Sequence, residues 1–229
     1  MTDLSRREFL QATAATSLMA AGATTAEEKT VTTGAFGYQH TPVPLPFNAK
    51  ALSGISEKLI QSHWENNYSG AVQALNTTRS RLTQALGDAN TPAYVYTSLK
   101  REQLLRTGSV VLHESYFANL GGNGKADASL RSTIAASFGT FDAWESEFRK
   151  IGQGLAGGSG WVVLGYNPKL KLLENYWMGD HATGPVGTTP VLVMDMYEHA
   201  FQMDYGAAAA KYIDAFFTNI NWDVVATRL

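Results

Sequence analysis

The chain has 229 residues, of which 45% are hydrophobic and 17% charged, with a formal net charge of -2. Such a balance supports a packed globular core and argues against global disorder, and it lacks the basic surface that a general nucleic-acid binder needs. No cysteine is present, which excludes disulfides, thiolate catalysis, iron–sulfur clusters and cysteine-type zinc sites; any metal must be held by oxygen and by the nitrogens of His40, His63, His113, His181 and His199.

The chain opens with Leu4-Ser5-Arg6-Arg7-Glu8-Phe9-Leu10, followed by an Ala-rich run to Ala23 that ends in the small-x-small pattern Ala21-Gly22-Ala23. The run is too short and too weakly apolar to span a membrane. Charge, apolar run and cleavage pattern stand in the order of a targeting segment. Paired Arg6-Arg7 before Phe9-Leu10 resembles a bacterial twin-arginine export signal. That resemblance implies a signal over residues 1–23, a mature chain from near Thr24, and a periplasmic or otherwise exported protein. No other segment reads as membrane-crossing.

Residues 24–45 read as an extended segment, because Pro42, Pro44 and Pro46 oppose helix. Ser53 suits an N-cap, and Ile55, Leu59, Ile60 and Leu75 give a broken helical period. The polar stretch 77–97, with Gly87 and Pro92, predicts a break, and a second helix is predicted over 99–120. Gly121-Gly122-Asn123-Gly124 marks a boundary between a helical hairpin domain, 46–122, and a second domain, 123–229. Helices are predicted over 128–137 and 141–155. The period then changes: Trp161–Tyr166 and Leu170–Trp177 read as strands around a turn at Asn167-Pro168, Val191–Met194 as a third short strand, and 197–220 as helix. Strands joined by a tight turn imply an antiparallel pair and an α+β class, a long helical hairpin followed by a domain with a small three-stranded antiparallel sheet.

Four residues carry candidate chemistry. His63 shares a helix face with Leu59 and Ile60, and His113 lies among Val110, Val111, Leu112, Tyr116 and Phe117. Taken singly, a histidine on such a face is more often a satisfied core residue than a ligand. Asp195 follows the apolar strand and needs a partner against its desolvation cost. His199, four residues on, can reach the same point if the chain turns helical there. Carboxylate and imidazole then form half of a metal site, or equally a helix cap beside a histidine.

Asp195-Met196-Tyr197-Glu198-His199-Ala200-Phe201 closely resembles the DxWEHAY signature of iron/manganese superoxide dismutases. Similar matches run in order from Pro44 to Arg228: Leu45-Pro46-Phe47 with Ala51-Leu52 and His63; His113 through Phe117 with Asn119-Leu120; Phe138-Gly139-Thr140-Phe141; Gly158-Ser159-Gly160-Trp161 with Leu164 through Asn167; and Asn221-Trp222-Asp223-Val224-Val225. The resemblance implies one iron or manganese ion per subunit, with His63, His113, Asp195 and His199 as protein ligands. It implies superoxide as the substrate, and Trp161 packed on the metal pocket. Tyr197 stands where the motif has tryptophan. It also implies a homodimer in which Glu198 bonds the ligand histidine at position 199 of the other subunit.

Several surrounding positions depart from the family pattern. Asn67 and Ala71 replace a histidine and a tyrosine on the channel face, and Gln202 replaces a tyrosine that pairs with that histidine across the dimer; Asn67 and Gln202 would still make a neutral hydrogen-bonded pair. The glutamine that hydrogen-bonds the metal-bound solvent is missing both at Ser109 and in the loop after the second strand. That loop carries Asp180-His181, which resembles the pattern of relatives using a histidine, shifted by about one residue. His181 is therefore the expected solvent partner, with Asp180 placed to orient its ring. The chain reads as an exported superoxide dismutase. The alternative is a metal-binding homologue without dismutase activity, and an oxygenase is opposed by the third histidine.

Overall fold

The computed structural model describes residues 37–229. The expected signal and most of the expected extended segment lie outside the described residues.

The first helix, α1 (Glu57–Ser62), is capped by Ser56, whose hydroxyl accepts from the Leu59 N–H at 3.1 Å. It starts later than Ser53 predicts. Gly54 turns the chain with φ +77°, and the backbone of Ser53 is bonded on both sides to the Asn219 amide, at 2.8 and 2.7 Å. The chain then passes through a π turn (His63–Tyr68) directly into α2 (Ser69–Gly87). The polar residues beyond 77 do not end that helix. Thr77, Thr78 and Thr83 return their hydroxyls to the carbonyls four residues back, while Leu75 and Leu82 are buried. A short turn braced by Asp88 leads to Pro92, which opens α3 (Ala93–Ala118), six residues before the predicted start. Proline is well suited to a helix entrance, where its missing N–H costs nothing. The two long helices pack on one another as a hairpin.

Helices α4 (Ala128–Phe138) and α5 (Phe141–Leu155) lie where predicted, capped by Asp127 and Thr140. Strands β1 (Trp161–Asn167), β2 (Leu172–Met178) and β3 (Thr189–Asp195) form an antiparallel sheet of order β2-β1-β3. The β1–β2 turn is longer than Asn167-Pro168 alone: Asn167 accepts from Lys169 and Leu170, and Lys171 takes φ +55°. Register places Trp161 opposite both Met178 and Asp195, so one end of the sheet carries Trp161, Asp195 and the entrance to the β2–β3 loop.

The helix predicted over 197–220 is broken into a 3-10 turn (Glu198–Ala200), α6 (Gln202–Tyr205) and α7 (Ala209–Thr218), and α8 (Trp222–Ala226) follows. Gly206, at φ +52°, ends α6 in a conformation that residues with a Cβ rarely adopt. α3 packs on β3. At that junction buried Asn119 donates to the Val193 carbonyl (2.8 Å) and accepts from Arg228 (2.7 Å), while its carbonyl accepts from Asn221 N–H (2.6 Å). No described helix is long and apolar enough to cross a membrane.

Candidate metal centre

Four side chains from four places in the chain meet at the end of the sheet. His63 comes from the start of the π turn, His113 from α3, Asp195 from the last residue of β3, and His199 from the 3-10 turn that follows. One ligand atom from each lies within 4.8 Å of all the others. The Nε2 atoms of His63 and His199 both stand 3.2 Å from Asp195 Oδ2, and that of His113 stands 3.8 Å away. Asp195, His63 and His113 are buried, and the His199 side chain is 25% exposed. The four positions singled out in the sequence are therefore one cluster.

Orientation is set locally. His113 Nδ1–H donates to the Ser109 carbonyl one turn back, at 2.7 Å, so its Nε2 carries a free lone pair. Asp195 Oδ1 accepts the backbone N–H of Tyr197 at 2.8 Å, which leaves Oδ2 facing the imidazoles. Behind it, Tyr212 donates to the Asp195 carbonyl (2.8 Å), and its oxygen lies 3.2 Å from the Tyr116 hydroxyl. Tyr212 escapes a motif reading, while Tyr116 falls inside the His113–Phe117 match; its signal is a phenol one turn from His113 in an apolar helix, where a buried hydroxyl needs a partner.

The electrostatics suit cation binding. Burial pushes the His63 and His113 imidazoles toward the neutral form, the latter down to about 3, with neighbouring His63 adding to the effect on His113. Burial alone would favour a neutral Asp195, but His199 and His63 beside it outweigh that and hold the carboxyl well below the usual carboxylate range. The His63 and His113 imidazoles and the Asp195 carboxylate thus meet in their ligating forms. The buried Nε2 atoms of His63 and His113 make no hydrogen bond. Two buried nitrogens that face a carboxylate oxygen without hydrogen-bonding it are costly unless something positive sits between them, and a hard-to-borderline N3O donor set fits iron or manganese.

The sequence-predicted neighbours divide. Trp161 is fully buried with its ring edge-on to His113, centroids 5.1 Å apart. It donates its indole N–H to His181 Nδ1 at 2.9 Å. An indole nitrogen can only donate, so Nδ1 is the acceptor and the neutral His181 ring carries its proton on Nε2. Burial favours that neutral form. Tyr197 lies between His181 (4.8 Å, 11°) and His199 (5.3 Å, 19°), stacked on both. Asp180 does not orient the ring as expected. Its Oδ1 accepts the Ala182 N–H at 2.7 Å, because a carboxylate one residue away reaches its own turn more readily than the neighbouring ring. Asn67 is half-buried on the π turn and Gln202 exposed at the start of α6, and within the chain no hydrogen bond joins them. Ser109 is buried beside His113, and Ala71 is buried in α2.

A family model described as iron/manganese superoxide dismutases, C-terminal domain, matches residues 126–228. A protein of Cupriavidus metallidurans named superoxide dismutase [Fe] is 49% identical over 185 residues, covering 81% of this chain and 93% of its own length. Superoxide dismutase [Fe] of Aquifex pyrophilus is 36% identical over 184 residues, 77% of this chain and 85% of its own. Superoxide dismutase [Mn] 2 of Halobacterium salinarum is 31% identical over 195 residues, 83% and 94% respectively. With both halves of these relatives matched and the cluster assembled at the sheet end, the chain belongs to the iron/manganese superoxide dismutase family.

Proposed function

We propose that this chain is a superoxide dismutase, converting two superoxide anions and two protons to one oxygen and one hydrogen peroxide. His63, His113, Asp195 and His199 hold one iron or manganese ion per subunit. The observation that carries this reading is the convergence of three imidazole Nε2 atoms on Asp195 Oδ2. When bound, the ion supplies one-electron exchange with superoxide.

The chain's own residues supply the rest. Asp195 contributes the single negative charge among the ligand side chains, and the Tyr197 N–H fixes its orientation. His181 holds a proton at Nε2 beside the cluster, and Trp161 keeps it in that tautomer. Tyr197 presses both His181 and His199 into place. Asn67 and Ala71 leave a smaller, uncharged face where the family pattern carries histidine and tyrosine. The Asp195→Ala variant should lose at least about 90% of bound iron and manganese and its dismutase activity, since removing a ligand removes the only carboxylate from the set. A variant that kept a full equivalent of metal would sink the assignment. Wild-type protein carrying a full equivalent without dismutase activity would instead identify a metal-binding homologue.

Two further proposals rest on the same family reading. The subunit pairs as a homodimer in which Glu198 bonds His199 of the partner subunit. Glu198 is exposed, His199 reaches the surface, and among the described residues its Nδ1 makes no hydrogen bond. Ultracentrifugation of Glu198→Ala should show monomer where the parent shows dimer, and an unchanged dimer would refute the pairing. Residues 1–23 form a twin-arginine signal directing the folded protein to the periplasm. The support is Arg6-Arg7 ahead of the Ala-rich run. Replacing both arginines by lysine should leave the precursor in the cytoplasm, and normal export of that variant would count against the signal. We place the division between helical and sheet-bearing domains at Gly121–Gly124.

A further inference from the structure

Gly108 lies inside α3, five residues before His113, with no positive φ to explain it. Glycine in a helix interior is destabilising relative to alanine, so the position calls for another reason. A Cβ built there would stand 1.8 Å from the His181 carbonyl oxygen and 2.8 Å from its carbonyl carbon. Both are backbone atoms and cannot rotate away. We propose that Gly108 is a positioning residue: its missing side chain lets the β2–β3 loop lie against α3 so that His181 meets Trp161. The inference rests on the role given to His181 above.

The loop cannot yield at one atom. Asp180 and His181 belong to a turn in which Asp180 Oδ1 takes the Ala182 N–H at 2.7 Å, and the Asp180 backbone and Thr183 hydroxyl bond each other in both directions at 3.2 Å. The ring is held separately, by Trp161 Nε1–H at 2.9 Å and by stacking on Tyr197. A Cβ at 108 would force the His181 carbonyl back by roughly 1.5 Å to reach an ordinary C···O approach of ~3.3 Å. A shift of that size carries a 2.9 Å bond beyond hydrogen-bonding distance unless the ring rotates out of its stack. The indole N–H would then be buried without an acceptor, and the His181 tautomer would no longer be fixed.

The test compares Gly108→Ala with Gly154→Ala. Gly154 lies in α5 with open space around its Cβ position. Each variant, purified with its metal, is measured for metal content, dismutase activity and the ultraviolet resonance Raman signature of the Trp161 indole N–H, isolated by difference against Trp161→Phe. Gly108→Ala should keep its metal, lose activity by about tenfold to a hundredfold, and show an indole N–H without its acceptor. Gly154→Ala should match the parent in all three. Adding Gly108→Ala to His181→Ala should cause no further loss. An unchanged Trp161 signature in Gly108→Ala, independent losses in the double variant, or failure of Gly108→Ala to fold would each overturn the proposal. Full activity in His181→Ala would remove the role given to His181, while the Raman signature would still decide whether Gly108 sets the contact.

Discussion

A protein that places three imidazoles around one carboxylate leaves specificity to the side chains just behind them. Here that task falls on a pair, Trp161 and His181. The indole is the fixed partner, fully buried in the central strand, and the imidazole is brought to it on a loop. Their bond does two things at once: it satisfies a buried donor and dictates which His181 nitrogen carries the proton. Trp161→Phe removes the donor while keeping much of the aromatic surface. His181 then becomes free to protonate at either nitrogen or to turn. The expected result is unchanged metal content with activity down by about tenfold to a hundredfold, as for other groups that orient a metal site from behind its ligands. Activity and metal content measured on the same sample decide it. Equal activity in the variant would show that the His181 tautomer is immaterial to turnover.

At the scale of elements, what the sequence discloses depends on whether the cause is local. Caps at Asp127 and Thr140 act within one turn of chain, and α4 and α5 fall where the pattern puts them. The first helix starts late because Asn219, more than a hundred residues away, claims the Ser53 backbone. The helix continues past 77 because threonine hydroxyls bond the preceding turn and Leu82 is buried. Neither fact is contained in a window of polar residues. The four ligand positions were legible through the aspartate motif and the order of the weaker motifs, since His63 and His113 alone look like ordinary core histidines. The expected Asp180–His181 pairing failed because adjacency in sequence says little about which atom a carboxylate reaches. The π turn at His63 was not legible at all. It places the first ligand where the helix widens, with Ser69 N–H reaching back to Trp64, and such bulges recur at functional sites. Asn119 then joins hairpin to sheet through its bond to Val193, and to the C-terminal segment through Asn221 and Arg228, the neutral bonds worth about 0.5–1.5 kcal/mol net each, and so helps hold His113 against Asp195.

For the molecule as a whole, one cluster ties the hairpin to the sheet, so its titration is also the titration of the fold. Burial lowers the pKa of His63, of His181 and of His113, the last to about 3. Asp195 is also lowered, because neighbouring imidazoles outweigh its burial. In the unfolded chain these histidines titrate near 6.5. As pH falls below that value the unfolded chain takes up protons that the folded chain refuses, so stability declines from about 6.5 downward. Each such proton contributes a slope of about 1.4 kcal/mol per pH unit. Asp195 acts in the same direction at lower pH, since its stabilising ionised form is lost only as pH falls below the unfolded carboxylate value. The His63 and His113 nitrogens and the Asp195 oxygen must be unprotonated to hold a cation, so metal release and unfolding should run together in acid. Urea unfolding of metal-free protein should therefore be nearly flat from pH 8 to 7, and its midpoint should drop progressively between about pH 6.5 and 4. His113→Gln should shallow that slope, because one of the refusing sites is gone. A midpoint that held constant from pH 7 to 4, or a slope unchanged in His113→Gln, would show that the buried imidazoles do not carry the acid sensitivity of the fold.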